Sequence, residues 1–330
     1  MADPVSVYER LAERVQYPTS RLLPEIFRML ADEEGAELLL ALPATDVELG
    51  GRPGMTVPRI TEIMGDFYRK GLVFRSVKPE ATKYRFCRDV TQLHDASIVW
   101  PDATQPFYDL WKRFMAEEWP EYLLKVEALK PRPFTRVIAV NRSISAKSQV
   151  LAYENCREMI VGTDRVAVTK CTCRLTTHKC DRPLEVCLQL GKAAAYTIER
   201  GSGREITKDE ALKIVRDAEE AGLVHVTMNK SGHTNFLCNC CGCCCMTMPL
   251  MIKHGVSMVD PSRFLAVVDA NLCTGCGACE ARCYFGAILG KDGLAAVDVV
   301  KCLGCGLCQP VCPSGAISLE EIREKGFIPD

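Results

Sequence analysis

The sequence predicts a multidomain α+β chain, and three observations predict it. Two copies of one cysteine pattern close the chain. The first hundred residues carry a succession of helical periodicities that ends in two short strand-like stretches. Between these regions lie ten further cysteines in two groups, each following a stretch that reads as a strand. The expected divisions are residues 1–97, a helical connector at 98–132, a cysteine-rich α/β domain at 133–260 and the doubled motif at 261–330.

Composition bounds the answer. At 330 residues there is room for two or three domains. Apolar residues make up 48%, charged residues 25%, and the formal net charge is −1, which describes an ordinary soluble protein. Twenty cysteines set it apart. The opening residues, Met1 to Arg10, show no basic n-region and no apolar core, so no signal peptide is expected. No window approaches 18 apolar residues, so no membrane span is expected either. The cysteines are then reduced thiols or metal ligands, and the expected compartment is the cytoplasm, in keeping with an anaerobe.

Taken in order, residues 6–17 read as an amphipathic helix ending before Pro18. Pro24 opens a second, Glu25 to about Leu42, with Ile26, Met29, Leu30, Leu38 and Leu39 as its apolar stripe. A turn-rich stretch from Pro43 to Pro58 follows. The next helix runs from Val57 to about Lys70, buries Ile60, Ile63, Met64 and Phe67, and ends on Gly71. Residues 72–77 and 83–86 read as two strands around a turn. Three helices and a two-stranded wing resemble winged helix-turn-helix domains. That resemblance implies DNA binding through the helix at 57–70. Charge argues against it: residues 1–100 hold 13 Lys/Arg against 15 Asp/Glu, a balance of −2, whereas DNA affinity rests on phosphate neutralisation. A docking or dimerisation module is the preferred expectation, and nucleic acid is not an expected partner. The connector is aromatic, with Phe107, Trp111 and Phe114 spaced for a buried helical face.

In the middle region, residues 137–140 and 165–169 read as strands, 148–161 as a helix, and 184–196 as another helix. The cysteine-bearing loop that ends the strand at 165–169 and leads into the helix at 184–196 holds Cys171, Cys173, Cys180 and Cys187. Thr207 caps a helix to about Ala221, and residues 224–228 and 234–237 form an antiparallel pair running into Cys238, Cys240, Cys241, Cys243, Cys244 and Cys245. Thiols without histidine at ligand spacing favour one or two [4Fe-4S] clusters, with structural zinc or redox thiols as alternatives. The expected quartet is Cys173, Cys180, Cys187 and one of Cys240 or Cys241. Adjacent cysteines such as Cys240 and Cys241 must point in different directions. Cys87 and Cys156 read as buried fillers, His178 as an ordinary histidine inside the cysteine loop, with a ligand or proton-coupled neighbour as the alternative, and Met246, Met248, Met251 and Met258 as apolar cover. Lys170 and Arg174 are placed to offset thiolate charge.

Cys273, Cys276, Cys279 and Cys283 are spaced C-x2-C-x2-C-x3-C, and Cys302, Cys305, Cys308 and Cys312 repeat the spacing 29 positions on. Gly275, Gly277, Gly304 and Gly306 stand between these cysteines, and each half closes with Gly-Ala-Ile at 286–288 and 315–317. Over residues 261–320 this resembles the bacterial two-[4Fe-4S] ferredoxin domain. The resemblance implies one cluster on Cys273, Cys276, Cys279 and Cys312, and a second on Cys302, Cys305, Cys308 and Cys283. One position departs: Pro313 follows Cys312 as in the family, but Tyr284 follows Cys283. Zinc sites of the CxxC type are the alternative and are less specific than the doubled spacing.

The expected function is single-electron transfer, as a ferredoxin-type subunit or partner of an anaerobic oxidoreductase rather than an independent catalyst. The partners are a redox donor and acceptor, with an oligomer formed through the winged-helix-like domain. Two rivals are a redox-responsive winged-helix regulator and a reductase with an open-site cluster in the middle region.

Overall fold

The computed structural model describes residues 5–330, with only the backbone at 127 and 128. Residues 1–4, on which the leader expectation partly rests, lie outside the described residues. The chain forms two compact units.

The first unit takes the residues up to Leu123 together with Leu175–Thr177 and Glu199–Gly203. Ser6 and Glu9 cap its first helix, Val7–Arg14, reciprocally. The expected single helix from Glu25 is two helices, Leu23–Leu30 and Glu33–Leu40. Ala31 turns extended, and the Asp32 carboxylate accepts from the Gly35 N–H, so a cap interrupts what the apolar periodicity alone would continue. β1 (Ala44–Thr45) and the short helix Asp46–Gly50 occupy the turn-rich stretch. The helix Val57–Lys70 has the expected bounds, set by Thr56 at one end and left-handed Gly71 at the other. β2 (Val73–Val77) and β3 (Thr82–Phe86) form the hairpin, with β1 on the outer side of β3. Helices Val90–Ser97 and Gln105–Glu117 complete the core around fully buried Phe107, Trp111 and Phe114.

The second unit holds all the clustered cysteines. Its strands in chain order are β4 (Thr135–Ile138), β5 (Val166–Lys170), β6 (Glu185–Leu190), β7 (Arg204–Glu205), β8 (Val224–Met228) and β9 (Phe236–Cys240). They make one sheet in the order β4-β8-β9-β6-β5-β7, with every neighbouring pair antiparallel. The helix Lys208–Glu220 packs Ala211 and Val215 against Val166, Val168, Leu188 and Leu237 of this sheet. Two expectations need correction here. Residues 184–196 are not one helix: Val186, Leu188 and Leu190 alternate inward along β6, and the helix Lys192–Glu199 begins only afterwards. Residues 148–161 are mostly irregular, with the helix starting at Cys156 behind an Asn155 cap.

β10 (Phe264–Val268), β11 (Ile288–Lys291), β12 (Leu294–Val297) and β13 (Ile317–Glu321) belong to the doubled motif. β10 pairs with β13 and β11 with β12, both antiparallel. Buried Arg263 anchors the start of β10, donating to Glu154 at 2.7 and 2.9 Å and to Glu321 at 2.6 Å. Among the described residues no helix is long and apolar enough to cross a membrane.

Candidate metal centres

The pairing of β10 with β13 brings the two ends of the doubled motif side by side, so the two cysteine runs interlock. One cavity is lined by Cys273, Cys276 and Cys279 of the first run and by Cys312 of the second, with Ile288, Leu294 and Ile317 beside them. The other is lined by Cys302, Cys305 and Cys308 of the second run and by Cys283 of the first. Ile288 lines both. Gly304 has φ +64, and a Cβ there would collide with the Phe264 carbonyl and the Ser262 hydroxyl, so the loop can lie on β10 only as glycine.

Backbone N–H groups already point at sulfur: Ala295 donates to Cys273 Sγ and Ala287 to Cys283 Sγ, each at 3.4 Å. Burial pushes the Cys305 thiol up to about 12 and raises those of Cys279 and Cys308. At Cys312 burial also raises the thiol, but the Ser314 hydroxyl and the N–H groups of Ala316, Ser314 and Gly315 outweigh it, and the net shift is downward. A metal entering these cavities must therefore displace protons, most of all from the second one. Cys276 is exposed, whereas Cys279, Cys302 and Cys308 are buried, so the first cavity has the more open edge. All-sulfur donors, apolar walls and N–H groups aimed at sulfur fit iron–sulfur clusters.

The ten middle cysteines divide into two groups. In the first, Cys180 Sγ lies 3.9 Å from Cys241 Sγ and 3.7 Å from Cys244 Sγ, and Cys243 Sγ lies 3.8 Å from Cys244 Sγ. The Lys179 N–H donates to Cys244 Sγ at 3.3 Å. The second group is a string of free thiols joined by hydrogen bonds, Cys171 with Cys173, Cys173 with Cys245, Cys245 with Cys240, and Cys240 with Cys238. Cys187 on the neighbouring strand closes it, 4.0 Å from Cys238.

β9 sets this division. Its alternation turns Cys238 and Cys240 to one face and Asn239 to the other. There Asn239 shares a 2.6 Å hydrogen bond with His225 Nδ1 and donates to the Val186 carbonyl at 2.6 Å. Sequence neighbours then separate: Cys240 joins the string and Cys241 the compact group, as do Cys245 and Cys244 respectively. The expected quartet is thereby distributed, with Cys173 and Cys240 in the string, Cys180 and Cys241 in the compact group, and Cys187 against Cys238.

Protonation follows the partners. Thiol hydrogen bonds hold Cys245 well below and Cys173 and Cys240 well above the ordinary range. At Cys180 the desolvation that raises the thiol is outweighed by Arg182 and by Cys243 and Cys244, leaving it at about 7. Arg174 is buried beside Cys171 and donates to the carbonyls of Pro183 and Asn239. His178 is exposed and occupies the left-handed position ending the helix Thr172–Thr177. Met246, Met248, Met251 and Met258 are buried, as are Cys87 and Cys156, whose thiols burial pushes up to about 12.

Two residues flanking Cys283 tie the motif to this region. Arg282 donates to the carbonyls of Glu219 and Glu220 at 2.8 and 2.9 Å, closing the end of the helix Lys208–Glu220. The Tyr284 side chain lies against Gly242, between Cys241 and Cys243, with the Arg182 guanidinium 5.5 Å from the ring centre. Sequence reasoning marked Tyr284 only as a departure; a glycine set among five cysteines was the available signal for its partner.

A protein-family model described as a 4Fe-4S dicluster domain matches residues 272–317. No curated protein and no solved structure matches the chain significantly. The C-terminal match and the clustered thiols identify an iron–sulfur, metal-binding chain.

Proposed function

We propose that the protein is an electron-transfer component serving a redox partner, holding two [4Fe-4S] clusters in its C-terminal motif and a third in the middle region. The observation that carries this reading is the 4Fe-4S dicluster match over a motif whose two cavities are each lined by four cysteines. Cys273, Cys276, Cys279 and Cys312 are the ligands assigned to one cluster, and Cys302, Cys305, Cys308 and Cys283 to the other. For the third, we assign Cys171, Cys173, Cys240 and Cys245, four thiols linked in succession along the string. When bound, such clusters take up and release single electrons, with all four cysteine positions filled.

The chain's own residues do the rest. Ile288 and the apolar lining exclude water between the two cavities, and the N–H groups of Ala287 and Ala295 stabilise charge on sulfur. The exposed edge at Cys276 is the place for a partner to approach. So many thiols require a reducing compartment, which supports a cytoplasmic setting.

In the N-terminal unit, helices followed by a hairpin support a winged-helix-like module that contacts protein rather than DNA. The cations of its candidate recognition helix already have carboxylate partners. Arg59 lies 3.6 Å from both Glu34 and Glu62, Lys70 lies 2.7 Å from Asp66, and Arg69 lies 2.9 Å from Asp102.

The test is iron and acid-labile sulfide per chain on anaerobically purified protein, with EPR of the dithionite-reduced form. About twelve irons and interacting S = 1/2 signals are expected. About eight would remove the third cluster, and fewer than about eight in intact, reconstituted protein would overturn the dicluster assignment itself.

A further inference from the structure

The compact group of middle cysteines differs from every other thiol set in one measurable respect. Its four Sγ atoms all lie within 4.8 Å of one another, and three edges measure 3.7, 3.8 and 3.9 Å. Thiolates around a single ion at the zinc–sulfur distance of about 2.3 Å have tetrahedral edges of about 3.8 Å, because the edge is about 1.63 times that distance. Thiolates outside a cubane stand roughly 6 Å apart, since each is carried outward by its own iron. The C-terminal cysteines provide an internal reference. They line their cavities in fours, yet among the described residues no three of them come within 4.8 Å of one another.

We propose that Cys180, Cys241, Cys243 and Cys244 hold one zinc ion in a closed, structural tetrahedral site. No histidine, carboxylate or open position belongs to the group, which separates it from a catalytic zinc centre. Ferrous iron in the same thiolate tetrahedron is the competing occupant. Three of the four ligands come from the five-residue run Cys241–Cys245, and Cys180 comes from the loop after the helix Thr172–Thr177. The ion therefore staples two otherwise irregular segments. One of these presents Gly242 to Tyr284, so the zinc holds the surface on which the C-terminal motif rests beside Cys283. This assignment is independent of the proposed third cluster, which uses none of the same thiols.

The experiment is zinc and iron per chain, with zinc K-edge EXAFS, on anaerobically purified full-length protein and on Cys243→Ser and Cys240→Ser. The expected result is about one zinc with four sulfur neighbours near 2.3 Å and no iron neighbour. Cys243→Ser should lower zinc at least tenfold with iron unchanged, while Cys240→Ser should keep zinc and lose iron. If Cys243→Ser does not fold, the EXAFS of the unsubstituted protein still decides. Zinc absent with iron raised to fill the site, fewer than four sulfur neighbours, or equal zinc loss in both variants would overturn the proposal. Iron near eight with one zinc would remove the third cluster and leave this site standing.

Discussion

Gly242→Ala probes the joint between the cysteine loop and the C-terminal motif. An added Cβ would stand 2.8, 3.0 and 3.1 Å from Cδ1, Cγ and Cβ of Tyr284. These are the root of the side chain rather than its free end. Tyr284 can yield only by moving the backbone next to Cys283, or the loop can yield by opening Cys241 away from Cys243. Overpacking of this kind costs about 1–3 kcal/mol. For a unit of this size about 1 kcal/mol lowers Tm by about 2–4 °C, so a fall of roughly 2–12 °C is expected. The assay is anaerobic thermal unfolding of wild type, Gly242→Ala, Tyr284→Ala and the double variant. Removing the ring takes away the two closest contacts and leaves only the Tyr284 Cβ position at 3.1 Å, so the alanine at 242 should cost much less in the Tyr284→Ala background. The coupling should then recover most of the single-variant penalty. Additivity within about 0.5 kcal/mol would refute the contact and the joint built on it.

Three further outcomes are expected. Gly304→Ala must bring a Cβ into the Phe264 carbonyl at a φ of +64, so the purified variant should lose the iron of the second cavity, about four atoms per chain by metal analysis. Glu118 is buried and accepts from Ser20 Oγ at 2.5 Å and from the N–H groups of Arg21 and Leu22 at 3.0 and 3.2 Å. Glu118→Ala leaves those donors ahead of the helix Leu23–Leu30 without their acceptor and should destabilise the N-terminal unit by about 2–4 kcal/mol, read by denaturant unfolding. Cys87 is buried, and burial raises its thiol from 9.0 to about 12. The folded state then holds its proton more tightly than the unfolded chain. The corresponding stability is fully present below about pH 9 and is lost as pH rises towards 12, up to about 4 kcal/mol. The alkaline limb of the stability profile should therefore be shallower in Cys87→Ala than in wild type.

What could be read from the sequence was whatever depends on local chemistry. The helix Val57–Lys70 was legible because Thr56 and Gly71 mark its ends as strongly as its apolar stripe marks its face. The doubled cysteine run was legible because its spacing is itself the geometry of the loops that carry it. The break at Ala31–Asp32 was hidden beneath a continuous apolar periodicity, and only the capping role of Asp32 reveals it. The strand Glu185–Leu190 was mistaken for part of a helix. Its alternation covers only six residues, and the helix-compatible run after it pulled the boundary back. The grouping of the middle cysteines was not legible at all. It depends on β6 lying beside β9, which places Cys187 against Cys238, and on the turn over Gly242–Cys244.

Tyr284 shows how a departure from a motif acquires meaning only from what packs on it. At the equivalent place after Cys312 stands Pro313, a smaller side chain without a tyrosine's reach. After Cys283 the chain instead carries a ring that reaches Gly242, and before it Arg282 closes a helix of the middle region. Cys283 thus stands between two docking side chains, while Cys276, lining the other cavity, is exposed. The two halves of the repeat, alike in their cysteines, therefore face different surroundings: one cavity adjoins the cysteine loop and the other has an edge open to solvent. Two cavities alike in their cysteines are thus told apart by the residues around them. Substitutions at Arg282 and Tyr284 thus act on the joint with the middle region, while both sets of four cysteines stay intact.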